Sequence, residues 1–80
     1  MTLVITSSKQ KILEGLKRKS MHGYEISKEL KVPISSVYEH LRYLREKGFV
    51  RFEKRERKRV YRLTKRGEYL LRALNNIGDA

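Results

Sequence analysis

Residues 35–64 read SSVYEHLRYLREKGFVRFEKRERKRVYRLT, and two periodicities meet inside this stretch. In its first half Val37, Leu41 and Leu44 recur at i, i+4, i+7, which places them on one face of an α-helix. The spacing predicts a helix over about 35–47, stopped by Gly48 in left-handed backbone. Beyond Gly48 the period falls to two. Val50 and Phe52 share a strand face, as do Tyr61 and Leu63, and Glu53 to Arg59 between them are all charged. A β-hairpin over about 49–63 follows, with a tip made of Lys, Arg and Glu.

Working outward toward the N-terminus, Pro33 lacks an amide donor and biases Val32 away from helix, so Lys31 to Ile34 form a turn. Before it, Ile26 and Leu30 at i, i+4 predict a short helix from about Gly23 to Leu30. Earlier still, Ser7 or Ser8 is a suitable N-cap for a first helix that buries Ile12, Leu13 and Leu16. On the C-terminal side Thr64 caps a helix running over about 65–76. Its core face is expected to be Leu70, Leu74 and Ile77, with Leu71 beside them. Helix, helix–turn–helix (about 23–47), basic hairpin, helix is the order of a winged helix-turn-helix domain. The expected class is α+β and mostly helical, with a three-helix core, a basic wing and a C-terminal helix, as one domain over residues 1–80.

Composition narrows the functions. Twenty Lys and Arg stand against nine Asp and Glu, a net charge of +11. Nine of those cations, with two glutamates, lie within residues 51–66. Such a charge on a folded domain points to a polyanion, most often nucleic acid. A chain of 80 residues buries only ~60% of its unfolded surface, so self-association would help it. With no cysteine there is neither a disulfide framework nor a thiolate metal site. No apolar run reaches the ~18 residues of a membrane span, and Met1 to Ser8 do not read as a signal peptide, so the expected compartment is the cytoplasm. His22 and His40 are the only histidines and Asp79 the only aspartate, which leaves no metal ligand set and no nucleophile–base–acid constellation. No enzyme, metal or cofactor is expected. The Lys, Arg and Glu richness with a single Gln also fits a thermophile.

Three stretches carry a family resemblance. They are His22-Gly23-Tyr24-Glu25-Ile26; Ser36-Val37-Tyr38 leading through Leu41 and Leu44 to Glu46-Lys47-Gly48-Phe49-Val50; and Tyr61-Arg62-Leu63-Thr64 followed by Gly67. Across about residues 8–75 the chain resembles winged helix-turn-helix transcriptional regulators. More narrowly it resembles PadR-type regulators, in a minimal form without the extra C-terminal helices by which that subfamily dimerises. The resemblance implies DNA binding in the control of transcription.

The helix over 35–47, projected at ~100° per residue, turns Ser35, Glu39, Arg42 and Glu46 away from Val37. Ser36, Tyr38 and Tyr43 flank that outer face. Hydroxyls at a helix start suit phosphate or base edges, Arg42 suits guanine O6 and N7, and Glu39 suits cytosine N4. The blander alternative is that Ser35 and Ser36 only cap the helix and Arg42 pairs with Glu39 or Glu46. Lys54, Arg55, Arg57, Lys58 and Arg59 form the wing, suited to phosphate or the minor groove, with Glu53 and Glu56 pairing along the hairpin. The alternative there is a solubilising loop. Phe52, Tyr61 and Leu63 are read as core.

These residues make sequence-specific binding of double-stranded DNA the leading expectation. The alternatives are nucleic-acid binding without sequence choice (chromatin-like or RNA-directed) and a protein-interaction winged helix. A homodimer is expected through the terminal segments. Tyr69, Ala73 and Asn76 form a second stripe on the last helix, and Leu3 and Ile5 precede the first. Two-fold pairing would space two reading helices by about one DNA turn and imply an inverted-repeat target.

Overall fold

In the computed structural model of the chain, which describes Ile5 and residues 7–78, the first helix α1 spans Ser7–Arg18. Its Ile12, Leu13 and Leu16 are buried together, as the spacing predicts. Ser7 and Ser8 already lie inside the first turn, so neither stands before the helix as its cap. A two-residue strand β1 (Met21–His22) leads directly into α2 (Gly23–Leu30). Lys31 closes α2 in left-handed backbone at φ 56°, and the Ser27 hydroxyl donates to the Val32 carbonyl at 2.7 Å to hold the turn. Helix α3 (Ile34–Glu46) follows, with Pro33 at its N-cap position.

Gly48, at φ 81°, ends α3 in the conformation that a side chain would oppose, and the chain reverses into β2 (Val50–Arg55) and β3 (Lys58–Leu63). Val50 pairs with Leu63, Phe52 with Tyr61 and Arg55 with Lys58, all antiparallel. The strands therefore run well into the charged stretch and leave a two-residue turn at Glu56 and Arg57. Strand β1 joins the other edge of β3, with Met21 opposite Tyr61, giving the order β1-β3-β2. Sequence periodicity does not reveal β1, because two residues are too few to show an alternation.

The last helix, α4 (Lys65–Gly78), is rotated from its expected setting. Leu71 is its sealed residue, whereas Leu70 and Leu74 are half-buried; the side chain of Ile77 lies outside those described. The cause is Gly67, one turn before Leu71. A Cβ on Gly67 would overlap the Phe49 carbonyl oxygen and come within 3.0 Å of the Leu63 side chain. The helix start presses backbone to backbone against the end of the α3–β2 corner, and that contact sets which face points inward.

Thr64 fixes this corner. Its hydroxyl donates to the Gly48 carbonyl at 2.6 Å and accepts the Gly67 amide at 3.1 Å, the expected N-cap, while its own amide donates to the Phe49 carbonyl at 3.1 Å. The Arg66 Nε donates to the Lys47 carbonyl at 2.9 Å. The core between these layers holds the α1 face, Met21, Ile26, Val37, Leu41, Leu44 and Leu71, with Phe49, Val50 and Tyr61 from the corner and the sheet. Phe52 and Leu63 pack against its edge, so the hydrophobic residues of the hairpin serve the core as expected.

Candidate nucleic-acid interface

Because Val37, Leu41 and Leu44 are all buried, the opposite face of α3 is held outward, and Ser35, Glu39, Arg42 and Glu46 are exposed along it. Among the described residues no ion pair joins Arg42 to Glu39 or Glu46. Ser35 and Ser36 fall within the first turn rather than at the cap, and Pro33 supplies no side-chain cap. The first amides of α3 and two serine hydroxyls thus share one end of the helix, an arrangement that favours an anion.

The two tyrosines that flank this face part company. Tyr38 is 52% exposed and turns toward the wing and the start of α2. Tyr43 is half-buried against the core on the α1 side, with the ammonium groups of Lys9 and Lys47 at 5.0 and 5.6 Å from its ring centre. His40 lies on that same side. Partial burial, and after it the charge of Lys9, pull its pKa below the ordinary 6.5 against the opposing effect of Glu39.

Lys54, Arg55, Arg57, Lys58 and Arg59 are all exposed on the hairpin. Lys54 faces Arg59 and Arg55 faces Lys58 across the strands, so four cations are directly paired where like charges repel. Glu53 offsets part of this, meeting Arg55 at 3.4 Å and Arg62 at 3.6 Å, as expected of it. Glu56 instead takes the first turn position. Both Glu56 and Arg57 have positive φ, 49° and 72°, the backbone of a type I′ turn that favours Asn-Gly. Left-handed backbone costs an ordinary residue roughly 1–2 kcal/mol. Charge has been kept at the tip where turn geometry alone would choose otherwise, which is how functional sites depart from local rules.

The wing is tied to α3 through Phe52, whose ring carries the guanidinium of Arg45 at 5.3 Å and that of Arg59 at 4.7 Å. Arg45 was not among the expected site residues, since its heptad position gives no signal; only the partner ring across the fold does. A hollow of about 410 Å³ separates the Tyr38 end of α3 from the wing tip and is walled by His22 and Tyr24. Those two residues were likewise not expected at the site. Of the residues proposed from sequence at a second interface, Tyr69 is 67% exposed on α4 with Arg72 over its ring, and Ala73 is exposed beside it. Ile5 packs against the core edge, and Leu3 and the Asn76 side chain lie outside the described residues.

Among the described residues no group of three or more His, Cys, Asp or Glu could hold a metal ion, and no helix is long and apolar enough to cross a membrane. No curated protein matches the sequence. Solved structures do match. AdcR, the adhesin competence repressor of Streptococcus pyogenes, superposes with a TM-score of 0.84 at 17% identity, covering 94% of this chain and 57% of that one. A point mutant of ZitR from Lactococcus lactis gives 0.84 at 20% identity, covering 95% and 54%. The homodimeric winged helix-turn-helix DNA-binding domain of a possible ArsR-family regulator from Mycobacterium bovis gives 0.83 at 16%, covering 92% and 69%. At these identities the likeness is one of fold, and this chain spans little more than half the length of AdcR and ZitR. The fold is a winged helix-turn-helix, as the order of periodicities predicts. Residues 10–66, from α1 to the start of α4, match the family model of the sugar-specific transcriptional regulator TrmB, a family of regulators and not of enzymes, and the chain belongs to that family.

Proposed function

We propose that the chain is a sequence-specific double-stranded DNA-binding transcriptional regulator, with residues 1–80 acting as one winged-helix unit. Residues 35–47 enter the major groove, and the wing over 53–59 follows the backbone into the minor groove. The observation that carries this reading is the continuity of one surface. The outward face of α3, with Arg42 in no ion pair among the described residues, adjoins a hairpin whose paired cations repel one another and whose turn is strained. A polyanion relieves that repulsion. Ser35, Ser36, Tyr38, Glu39 and Arg42 are the proposed groove-side contacts, and Lys54, Arg55, Arg57, Lys58 and Arg59 the proposed backbone contacts; Tyr43, expected from the sequence to be a groove-side contact, is half-buried toward α1 and is not proposed as one. The stretches that resemble PadR-type regulators fall on these elements and support kinship with them inside the wider winged-helix class. The cytoplasm is the compartment that suits this role.

Selection of bound duplexes from a random pool, read by sequencing, tests the proposal: an enriched motif is the expected result, and a flat pool counts against sequence choice. Within that motif, Arg42→Ala costs about 1–3 kcal/mol and relaxes preference at one base pair, with much less change on random duplex. Equal losses on both duplexes would move Arg42 to the backbone.

The same proposal includes a homodimer built on α4. Tyr69 and Ala73 offer an exposed stripe on the least basic part of the chain, and the Mycobacterium bovis domain of the same fold is itself homodimeric. A two-fold pair would bind an inverted repeat with half-sites about one turn (~34 Å) apart. Sedimentation at micromolar concentration should show twice the chain mass of 9.6 kDa, reverting to 9.6 kDa in Tyr69→Glu. A 9.6 kDa species in both rules the dimer out.

A further inference from the structure

We propose that the hollow between α2, α3 and the wing tip seats one strand of the DNA backbone, and that Tyr24 is a sequence-independent contact to it. The inference rests on the DNA-binding reading above and adds a position that neither α3 nor the wing supplies.

The hollow has a defined chemistry. Its floor is Gly23, its walls are His22, Tyr24 and Tyr38, and its rim is the run Arg57, Lys58 and Arg59. Among the described residues three cations and no carboxylate line it. Tyr24 and Tyr38 are 56% and 52% exposed, come from different helices, and converge on this one concavity. Exposed aromatic rings beside a run of cations suit a sugar–phosphate unit. The rings offer apolar surface to the deoxyribose and hydroxyl donors to a phosphate oxygen, and the cations neutralise it.

The walls are also pre-set. Tyr24 stacks on His22 with ring centres 6.4 Å apart and planes 13° from parallel, and the Lys28 ammonium stands 5.1 Å from its centre. His22 is held in turn by a reciprocal cap: its Nδ1 accepts the Glu25 amide at 3.3 Å, while its own amide donates to Glu25 Oε1 at 3.2 Å. That bond ties the nearby carboxylate to β1. Tyr38 lies so close over Gly23 that a Cβ there would approach its ring atoms to 2.8–2.9 Å. A side chain at position 23 would therefore displace the second wall.

Position within the fold selects a duplex strand over a free anion. A helix in the major groove and a wing in the adjacent minor groove have one backbone strand running between them. The hollow is the space between those two elements, so a strand that links the grooves must pass across it.

The test compares the full chain with Tyr24→Ala and Tyr24→Phe by fluorescence anisotropy on a preferred and a random duplex, with circular dichroism as the check of folding. Tyr24→Ala is expected to lose about tenfold in affinity on both duplexes, because the hydroxyl donor and the apolar ring surface are removed together. The dependence of log affinity on log salt stays as in the parent, because no charge is removed. Should Tyr24→Ala fail to fold, Tyr24→Phe keeps the ring and carries the test, with a loss of roughly threefold expected from the missing hydroxyl alone. Affinity within experimental error of the parent for a folded Tyr24→Ala, or for Tyr24→Phe where it is the variant tested, overturns the assignment while leaving the DNA-binding reading intact. A loss confined to the preferred duplex overturns it too, making Tyr24 a base reader. A parent that binds no duplex overturns both readings. Millimolar thymidine 5′-monophosphate separates the two sources of phosphate: the ring resonances of Tyr24 and Tyr38 should move with duplex and not with the nucleotide. Equal movement with both would give the hollow to a free nucleotide.

Discussion

Replacing Arg55, Arg57 and Lys58 together by glutamate should weaken binding to every duplex by roughly 10²–10³-fold at 0.1 M salt. The dependence of log affinity on log salt should flatten by about 0.9 for each lost phosphate contact, or about 2.7 for three. The physical ground is the geometry of the hairpin. All three side chains are exposed, and Arg55 and Lys58 face each other across the strands beside a turn held in left-handed backbone. In the free protein their charges repel, so neutralisation by phosphates is gained without first breaking strong internal pairs. Among the described residues the one ion pair lost, Arg55 with Glu53 at 3.4 Å, is solvent-exposed and worth little. Folding should therefore survive, and circular dichroism shows whether it does. Because phosphates carry no sequence information, preferred and random duplexes should lose affinity in parallel. A folded triple variant with an unchanged salt slope would falsify the wing as the backbone contact.

Gly67→Ala should destabilise the fold by about 3 kcal/mol, at the upper end of the cost of overpacking. For 80 residues the whole stability is of the order of 4–12 kcal/mol, so one methyl group would remove a large share of it. The added Cβ overlaps the Phe49 carbonyl oxygen. That oxygen cannot swing aside freely, because it accepts the Thr64 amide at 3.1 Å. The Leu63 side chain, 3.0 Å from the same point, closes the other route of escape. Relief requires α4 to lift from the α3–β2 corner, which opens the Thr64 cap and tilts Leu71 out of the core. Denaturant unfolding reads the loss as a lower midpoint with an unchanged slope. A variant as stable as the parent would mean that α4 is not anchored through Gly67.

Much of this architecture is legible in the chain itself. The change of period at Gly48 places the α3–β2 corner, and Thr64 marks the start of α4, because a helix stop and a cap depend on residues close in sequence. The outward face of α3 follows from the i, i+4, i+7 spacing of Val37, Leu41 and Leu44 alone. Ser35 and Ser36 show the limit of such reading. Their type suggests a cap, yet the helix starts a residue earlier, at Ile34, with Pro33, which has no amide to leave unbonded, in the capping position at ψ 139°.

What the sequence by itself determined, then, is local: the four helices and the hairpin, the stop of α3 at Gly48, which face of α3 is apolar, and that the hairpin carries the positive charge. Propensity, period and charge are properties of neighbouring residues, so they can be read without a fold. The tertiary structure alone decided that Met21 and His22 pair with β3 and that α4 turns Leu71 inward. It also sent Tyr38 toward the wing and Tyr43 toward α1, and brought His22 and Tyr24 to the hollow between α3 and the wing tip. Each of these depends on a contact between residues distant in the chain, Met21 with Tyr61, Gly67 with Phe49, Gly23 with Tyr38, and close packing admits such contacts only when both partners have the right size in the same place.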